Sequence, residues 1–179
     1  MLGSEQKAWF KEQLLVANAD PDVEVIFWVN SVSWTGIANT GENWSAYPTE
    51  RAEIANFIKD NDIRGLFILC GDMHSAAIDD GRSYDFTSDG TNPVLTGNGL
   101  PVFQAAPLAQ TASTKGTPYM IGPYMTTGFN RQFGIVNVMD SGSNVLVNFT
   151  AYDGWTGTIV HSGADYVCYT LNGTASPRP

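Results

Sequence analysis

The apolar run at residues 66–70, Leu-Phe-Ile-Leu-Cys, stops abruptly at Gly71-Asp72-Met73-His74. His74 is one of only two histidines in the 179-residue chain, so its position after a buried segment is informative. Asp72 and His74 alternate on the emerging segment, and a carboxylate and an imidazole placed so can converge on one point. Such a pair suits a divalent metal ion or general acid and base chemistry. In layered α/β folds, side chains just beyond the carboxyl end of a buried strand project into the crevice where ligands bind. Gly71 is expected to supply the sharp turn. The plainer alternative makes Asp72 a cap for the segment that follows and His74 an ordinary polar loop residue. A single Asp-x-His is too short a motif to separate the two.

The elements that must position this corner follow from periodicity. A first helix is expected with Ser4 as N-cap, Glu5 in its first turn, and Phe10, Leu14 and Ala17 on one face. Residues 23–29 read as a buried strand. Pro48 suits the first turn of a second helix, in which Ile54, Phe57 and Ile58 repeat at helical spacing and residues 59–62 close the element. Residues 65–70 form a second buried strand. Helix, strand, helix, strand with near-continuous apolar strands is an α/β pattern, a sheet covered on both faces. After Asp80 turn signals recur, and Val145, Val147 and Phe149 alternate onto one face, which predicts antiparallel strands. Residues 105–131 read as a long surface loop and 173–179 as a frayed tail. A chain of 179 residues makes a single domain or part of one.

Composition excludes some functions. With 9 basic and 18 acidic residues the net charge is -9 and no basic run occurs, so no nucleic-acid-binding surface is expected. No membrane span is expected either, because no run of 18 apolar residues exists, and the opening residues, which read as a helix, are not expected to be a signal peptide. Cys70 and Cys168 allow one disulfide, although a buried free thiol suits Cys70 at the end of an apolar strand. Asn43, Asn148 and Asn172 begin glycosylation sequons, which with few lysines lean toward an extracellular or periplasmic address. His161 reads as a turn or surface residue. Trp34 and Trp155 read as packing residues, with the alternative that their loops contact a carbohydrate or another protein.

Three stretches, "LGSEQKAWF", "ENWSAYPTER" and "LCGDMHSAAIDDG", together resemble the second half of the PhoD-like metallophosphatases, relatives of alkaline phosphatase D in the calcineurin-like phosphoesterase superfamily. Leu2, Gly3, Gln6 and Trp9 match that family's Leu-Gly-x-x-Gln-x-x-Trp helix. Trp44, Tyr47, Pro48 and Arg51 match its Asp-x-Trp-x-Gly-Tyr-Pro-x-x-Arg, and Gly71, Asp72 and His74 match the strand ending in Gly-Asp-x-His. The resemblance runs from Leu2 to Tyr152. It implies the second half of a layered metallophosphoesterase sandwich, helix-strand-helix-strand followed by antiparallel strands, with Asp72 and His74 as metal ligands and catalytic residues. The implied cofactors are divalent or mixed-valence metal ions, with Ca, Fe, Mn and Zn all open. They would polarise a phosphate mono- or diester and activate a bound water for in-line attack. Bound cations would also invert the local field of so acidic a protein. Arg51 is a candidate for substrate binding, weighed against a salt bridge on the helix surface.

The departures from the pattern are specific. Glu42 stands where the family has Asp, and Ala46 where it has Gly. The family's first-half motifs, of the Asp-x-His, Gly-Asp and Gly-Asn-His-Asp type, do not occur here, and two ligands do not hold two catalytic metals. The partner implied is the amino-terminal half of the same fold or a self-associating copy. Alone, the chain is expected to show little phosphatase activity and to associate through an uncovered strand edge. The alternative function is a non-catalytic binding or structural module of phosphoesterase descent, contacting carbohydrate or protein.

Overall fold

The structure is a computed structural model, and it describes residues 1–36, 43–81, 100–105, 107–111, 119–124, 129–142, 144–162 and 166–170. The element order is α1 (Ser4–Ala19), β1 (Ile26–Asn30), a single 3-10 turn (Trp44–Ala46), α2 (Pro48–Asp60), β2 (Leu66–Cys70), β3 (Ala76–Asp79), β4 (Val102–Gln104), β5 (Gln110–Thr111), β6 (Ile121–Tyr124), β7 (Phe129–Asn130), β8 (Gln132–Asp140), β9 (Asn144–Asp153), β10 (Ile159–Ser162) and β11 (Tyr166–Thr170). The chain is thus mixed α and β. No helix among the described residues is long and apolar enough to cross a membrane.

The first helix starts one residue before the sequence suggests. Gly3 is its N-cap and Ser4 its first helical residue, because the Gly3 carbonyl already accepts from Lys7 N at 2.9 Å. Leu14 is buried, and Phe10 packs on Trp28 of β1 with ring centroids 4.6 Å apart. Pro48 opens α2, where its fixed φ and missing N–H suit a first turn. Ile54 and Ile58 point inward from α2. Glu53 accepts from Lys7 and Lys11 at 2.6 and 2.7 Å, so one carboxylate ties the two helices together.

The principal sheet has the order β1-β2-β4-β3-β6. Strands β1, β2 and β4 run parallel, while β3 is antiparallel to both β4 and β6. Register places Trp28, Ile68 and Val102 on one face, where they join Leu14, Ile54 and Ile58 from the helices. The other face carries Phe67, Phe103, Ala76 and Ile78 and is covered by Val147, Phe149 and Ala151 of β9. Phe103 and Phe149 stack with centroids 5.0 Å apart. Strand β9 pairs antiparallel with β8, β10 and β11, and Val145, Val147 and Phe149 are all buried, as their alternation predicts. Gly134 of β8 is required by this packing, since an added Cβ would lie 2.2 Å from the Phe149 ring.

Two expectations change, and one alternative closes. Residues 105–131 are more than a surface loop: β6 completes the principal sheet and β5 pairs with β7. The Ile-Gly-Pro-Tyr of β6 carries turn residues, so only its pairing with β3 shows it to be a strand. His161 lies in β10 opposite Ala151, in a strand and not a turn. Cys70 is a free, buried thiol, which closes the disulfide alternative. The tail at 173–179 lies outside the described residues.

Candidate functional site

The three parallel strands end side by side, and each ends in a polar residue on the helix face of the sheet. Asn30 is in register with Cys70, and Cys70 with Gln104. The Cys70 thiol donates to Gln104 Oε1 at 3.0 Å. In the segment after β1, Ser33 Oγ lies 2.8 Å from Thr35 Oγ1 and 3.3 Å from the Tyr119 hydroxyl, all of them buried. Burial pushes the Cys70 thiol up to about 12 against partial relief from hydrogen bonds with the Trp34 backbone and Ser33. Burial pushes the Tyr119 phenol up to about 12 as well. Both groups therefore stay neutral at ordinary pH, and Cys70 is no thiolate nucleophile. Asn30 Nδ2 and Gln104 Nε2 are buried with no hydrogen-bond partner among the described residues. Ser33, Thr35 and Gln104 escaped the sequence reading, although the alternation in Ser-Val-Ser-Trp-Thr and the glutamine closing an apolar run were available signals.

Past this edge comes the corner itself. The left-handed backbone falls not on Gly71 but on Asp72 (φ 71°) and His74 (φ 57°). A hydrogen bond from Met73 N to the Gly71 carbonyl, 2.9 Å long, closes a three-residue turn around Asp72. The burial runs out, in, part out: Asp72 is exposed, Met73 wholly buried and His74 intermediate. The Asp72 carboxylate makes no hydrogen bond or ion pair with a described residue, and the segment that follows is the strand β3, so Asp72 caps no helix there.

One carboxylate and one imidazole are donor types that fit a divalent cation. Their number does not complete its coordination, and among the described residues no group of three or more His, Cys, Asp or Glu side chains could hold a metal ion. Arg51 sits elsewhere. It is buried, not on a helix surface, and its Nη1 donates to the carbonyls of Trp34 and Gly36 at 3.1 and 2.9 Å. The cause is the tryptophan cluster: Trp34 packs on Trp28 and Trp44 with centroids 5.0 and 5.2 Å away, and Arg51 meets the carbonyls of the segment so anchored. Trp34 is thus a packing residue as expected. Trp155 is not; it is 76% exposed, with the Arg131 guanidinium 4.4 Å from its ring centroid. Asn43 is buried and accepts from Ser45 N, so this sequon is closed within the fold. Ala46 ends the 3-10 turn, and Glu42 lies outside the described residues.

In this α/β chain the parallel strand β2 ends in the Gly-Asp-x-His corner on which the resemblance was drawn. The chain belongs to the PhoD-like phosphatases, whose family model matches residues 1–138. It is similar to alkaline phosphatase D of Bacillus subtilis (strain 168), at 30% identity over 81 residues, which cover 42% of this chain and 14% of that protein. A solved structure of PhoD matches with a TM-score of 0.46 and 15% identity, over 91% of this chain and 36% of that one. The chain thus spans well under half the length of either.

Proposed function

We propose that this chain is part of a metal-dependent phosphoesterase of the alkaline phosphatase or phosphodiesterase type, hydrolysing phosphate mono- or diesters. In this reading it forms the second half of a layered metallophosphoesterase sandwich. The observation that carries the proposal is the Asp72-Met73-His74 corner, which lies at the carboxyl edge of parallel strands within the region matched by the family. Asp72 would supply a carboxylate oxygen and His74 an imidazole nitrogen to a divalent or mixed-valence metal, with Ca, Fe, Mn and Zn all compatible with the resemblance. Such a metal, when bound, polarises phosphoryl oxygens and activates water. Arg51 fixes the segment after β1 through Nη1 and is kept as a candidate for contact with the phosphoester.

Two side chains leave most coordination positions to water. The remaining ligands are therefore assigned to an amino-terminal part of the same fold or to a second copy. The edge strand β1 supports such a partner: among the described residues it pairs with β2 alone, Val29 is 76% exposed, and Trp9 on α1 is 59% exposed. An extracellular or periplasmic address remains part of the proposal, resting on the Asn148 and Asn172 sequons and the scarcity of lysine.

Hydrolysis of a chromogenic phosphoester with and without added divalent metal tests the reading. The chain alone is expected to turn over little. Joined to a segment carrying the other ligands it should become active, and His74→Ala in that protein should cut turnover severely. Robust turnover by the isolated chain, kept in His74→Ala, would overturn both the incompleteness and the site. A second reading, a non-catalytic module that contacts carbohydrate or protein, is favoured by the exposed Trp155 under Arg131. Glycan binding that ignores metal and is lost in Trp155→Ala would select it.

A further inference from the structure

We propose that Met73 is a positioning residue: its buried side chain pins the chain between Asp72 and His74, so that both donors are held on left-handed backbone at the carboxyl edge of the sheet. Three non-glycine residues among those described have positive φ, namely Asp62, Asp72 and His74. Asp62 follows the end of α2, where a left-handed residue commonly terminates a helix. No helix end accounts for the other two, and they flank Met73.

A left-handed backbone crowds Cβ against the following carbonyl in any residue but glycine, so the surroundings must enforce it. Here they do. Upstream, the Cys70 carbonyl accepts from Ala105 N at 3.0 Å, which ties the end of β2 to β4. Downstream, Ala76 N donates to Gln132 Oε1 at 3.0 Å, and Ser75 and Ala76 are wholly buried. Between these fixed points Met73 is the fully buried side chain that separates the two donors, and its N–H closes the ring onto Gly71. Glycine would take the conformations at 72 and 74 freely, and the chain uses 18 glycines elsewhere. Positions 72 and 74 instead carry an oxygen and a nitrogen donor. The strain therefore goes with the donors, and Met73 is what sustains it.

The role toward a metal rests on the phosphoesterase reading above; the strain does not. Two measurements separate them: the urea unfolding midpoint, and paramagnetic broadening of imidazole NMR signals by Mn2+. The two-histidine sequence makes the second tractable, with His161→Gln assigning the rings. Asp72→Gly and His74→Gly are each expected to raise the midpoint. Met73→Leu should keep Mn2+ broadening at His74, whereas Met73→Ala should weaken apparent Mn2+ affinity about ten- to hundredfold, the usual loss when a ligand's support is removed. Met73→Ala should also abolish the gain from Asp72→Gly in the double variant, a coupling that independent sites would not show. Ile54→Ala, a core truncation on α2, serves as the control: it should lower the midpoint and leave Mn2+ affinity unchanged. If Met73→Ala does not fold, Met73→Val replaces it with the same expectations. Lowered midpoints in both glycine variants overturn the strain, and unchanged Mn2+ affinity in Met73→Ala overturns the positioning. A wild-type chain whose His74 ring is untouched by Mn2+ overturns the metal corner and the positioning role with it, while the glycine midpoints still decide the strain.

Discussion

The two faces of the principal sheet are packed by different rules. Toward β9 the contact is apolar, with Phe67, Phe103 and Phe149 in a continuous stack and Ala76, Ile78, Val147 and Ala151 around it. Toward the helices the core is just as dry in its middle but ends in Asn30, Cys70 and Gln104, beside Ser33, Thr35 and Tyr119. Buried polar groups are costly unless paired, and two amides at this edge lack partners among the described residues. The strained residues Asp72 and His74 lie just beyond the same edge. One face is packed mainly by apolar rings, while the other carries amides unpaired among the described residues at its carboxyl edge, where a site would be built.

The contrast can be broken, and the largest effect should come from the apolar face. Phe103→Ala removes the middle ring of the stack and is expected to cost about 3–5 kcal/mol, read by urea denaturation. A loss well under that range would mean the face is not the dry, tightly packed region described. On the helix face, Arg51→Met should cost less, about 2–3 kcal/mol, by leaving the Trp34 and Gly36 carbonyls without their charged donor. A stability-neutral Arg51→Met would show that the loop does not depend on it.

The buried polar edge predicts a pH dependence that the phenylalanine face cannot produce. Cys70 and Tyr119 are both held above their ordinary values of 9.0 and 10.0, to about 12, first by burial. The unfolded state therefore ionises before the folded state does. Their contribution is whole below pH 9 and is lost as pH rises toward 12. Unfolding midpoints should fall across that window, and Cys70→Ala should flatten the slope; an unchanged slope would remove Cys70 from the account. The smallest effect is expected at Glu53, whose carboxyl is held below its ordinary 4.5 by hydrogen bonds from Lys11 and Lys7. Its contribution is present above pH 4.5 and is lost as pH falls below it. Glu53→Gln should shift the neutral-pH midpoint only slightly, because exposed ion pairs are screened by solvent. A large shift would mean that the helices depend on this clamp more than on Leu14, Ile54 and Ile58.

What could be read directly from the sequence were features that repeat over short distances. The spacing of Phe10 and Leu14, Pro48 at the head of α2, the continuous apolar runs of β1 and β2, and the alternation of Val145, Val147 and Phe149 all follow from helical and strand periods, which neighbouring residues set by themselves. The Asp72-His74 corner was legible for the same reason, as a polar break at the end of an apolar run. Other features depended on residues far apart in the chain. Arg51 is buried because Trp34 and Trp44 meet Trp28 across the fold, and no local pattern encodes that meeting. The strand at Ile121–Tyr124 exists because β3 offers it an edge. The left-handed turn falls on Asp72 and His74, and not on the glycine beside them, because Met73 is buried between anchored strands. Short-range period selects the elements, but burial depends on what arrives from elsewhere in the chain, and only the folded packing decides that.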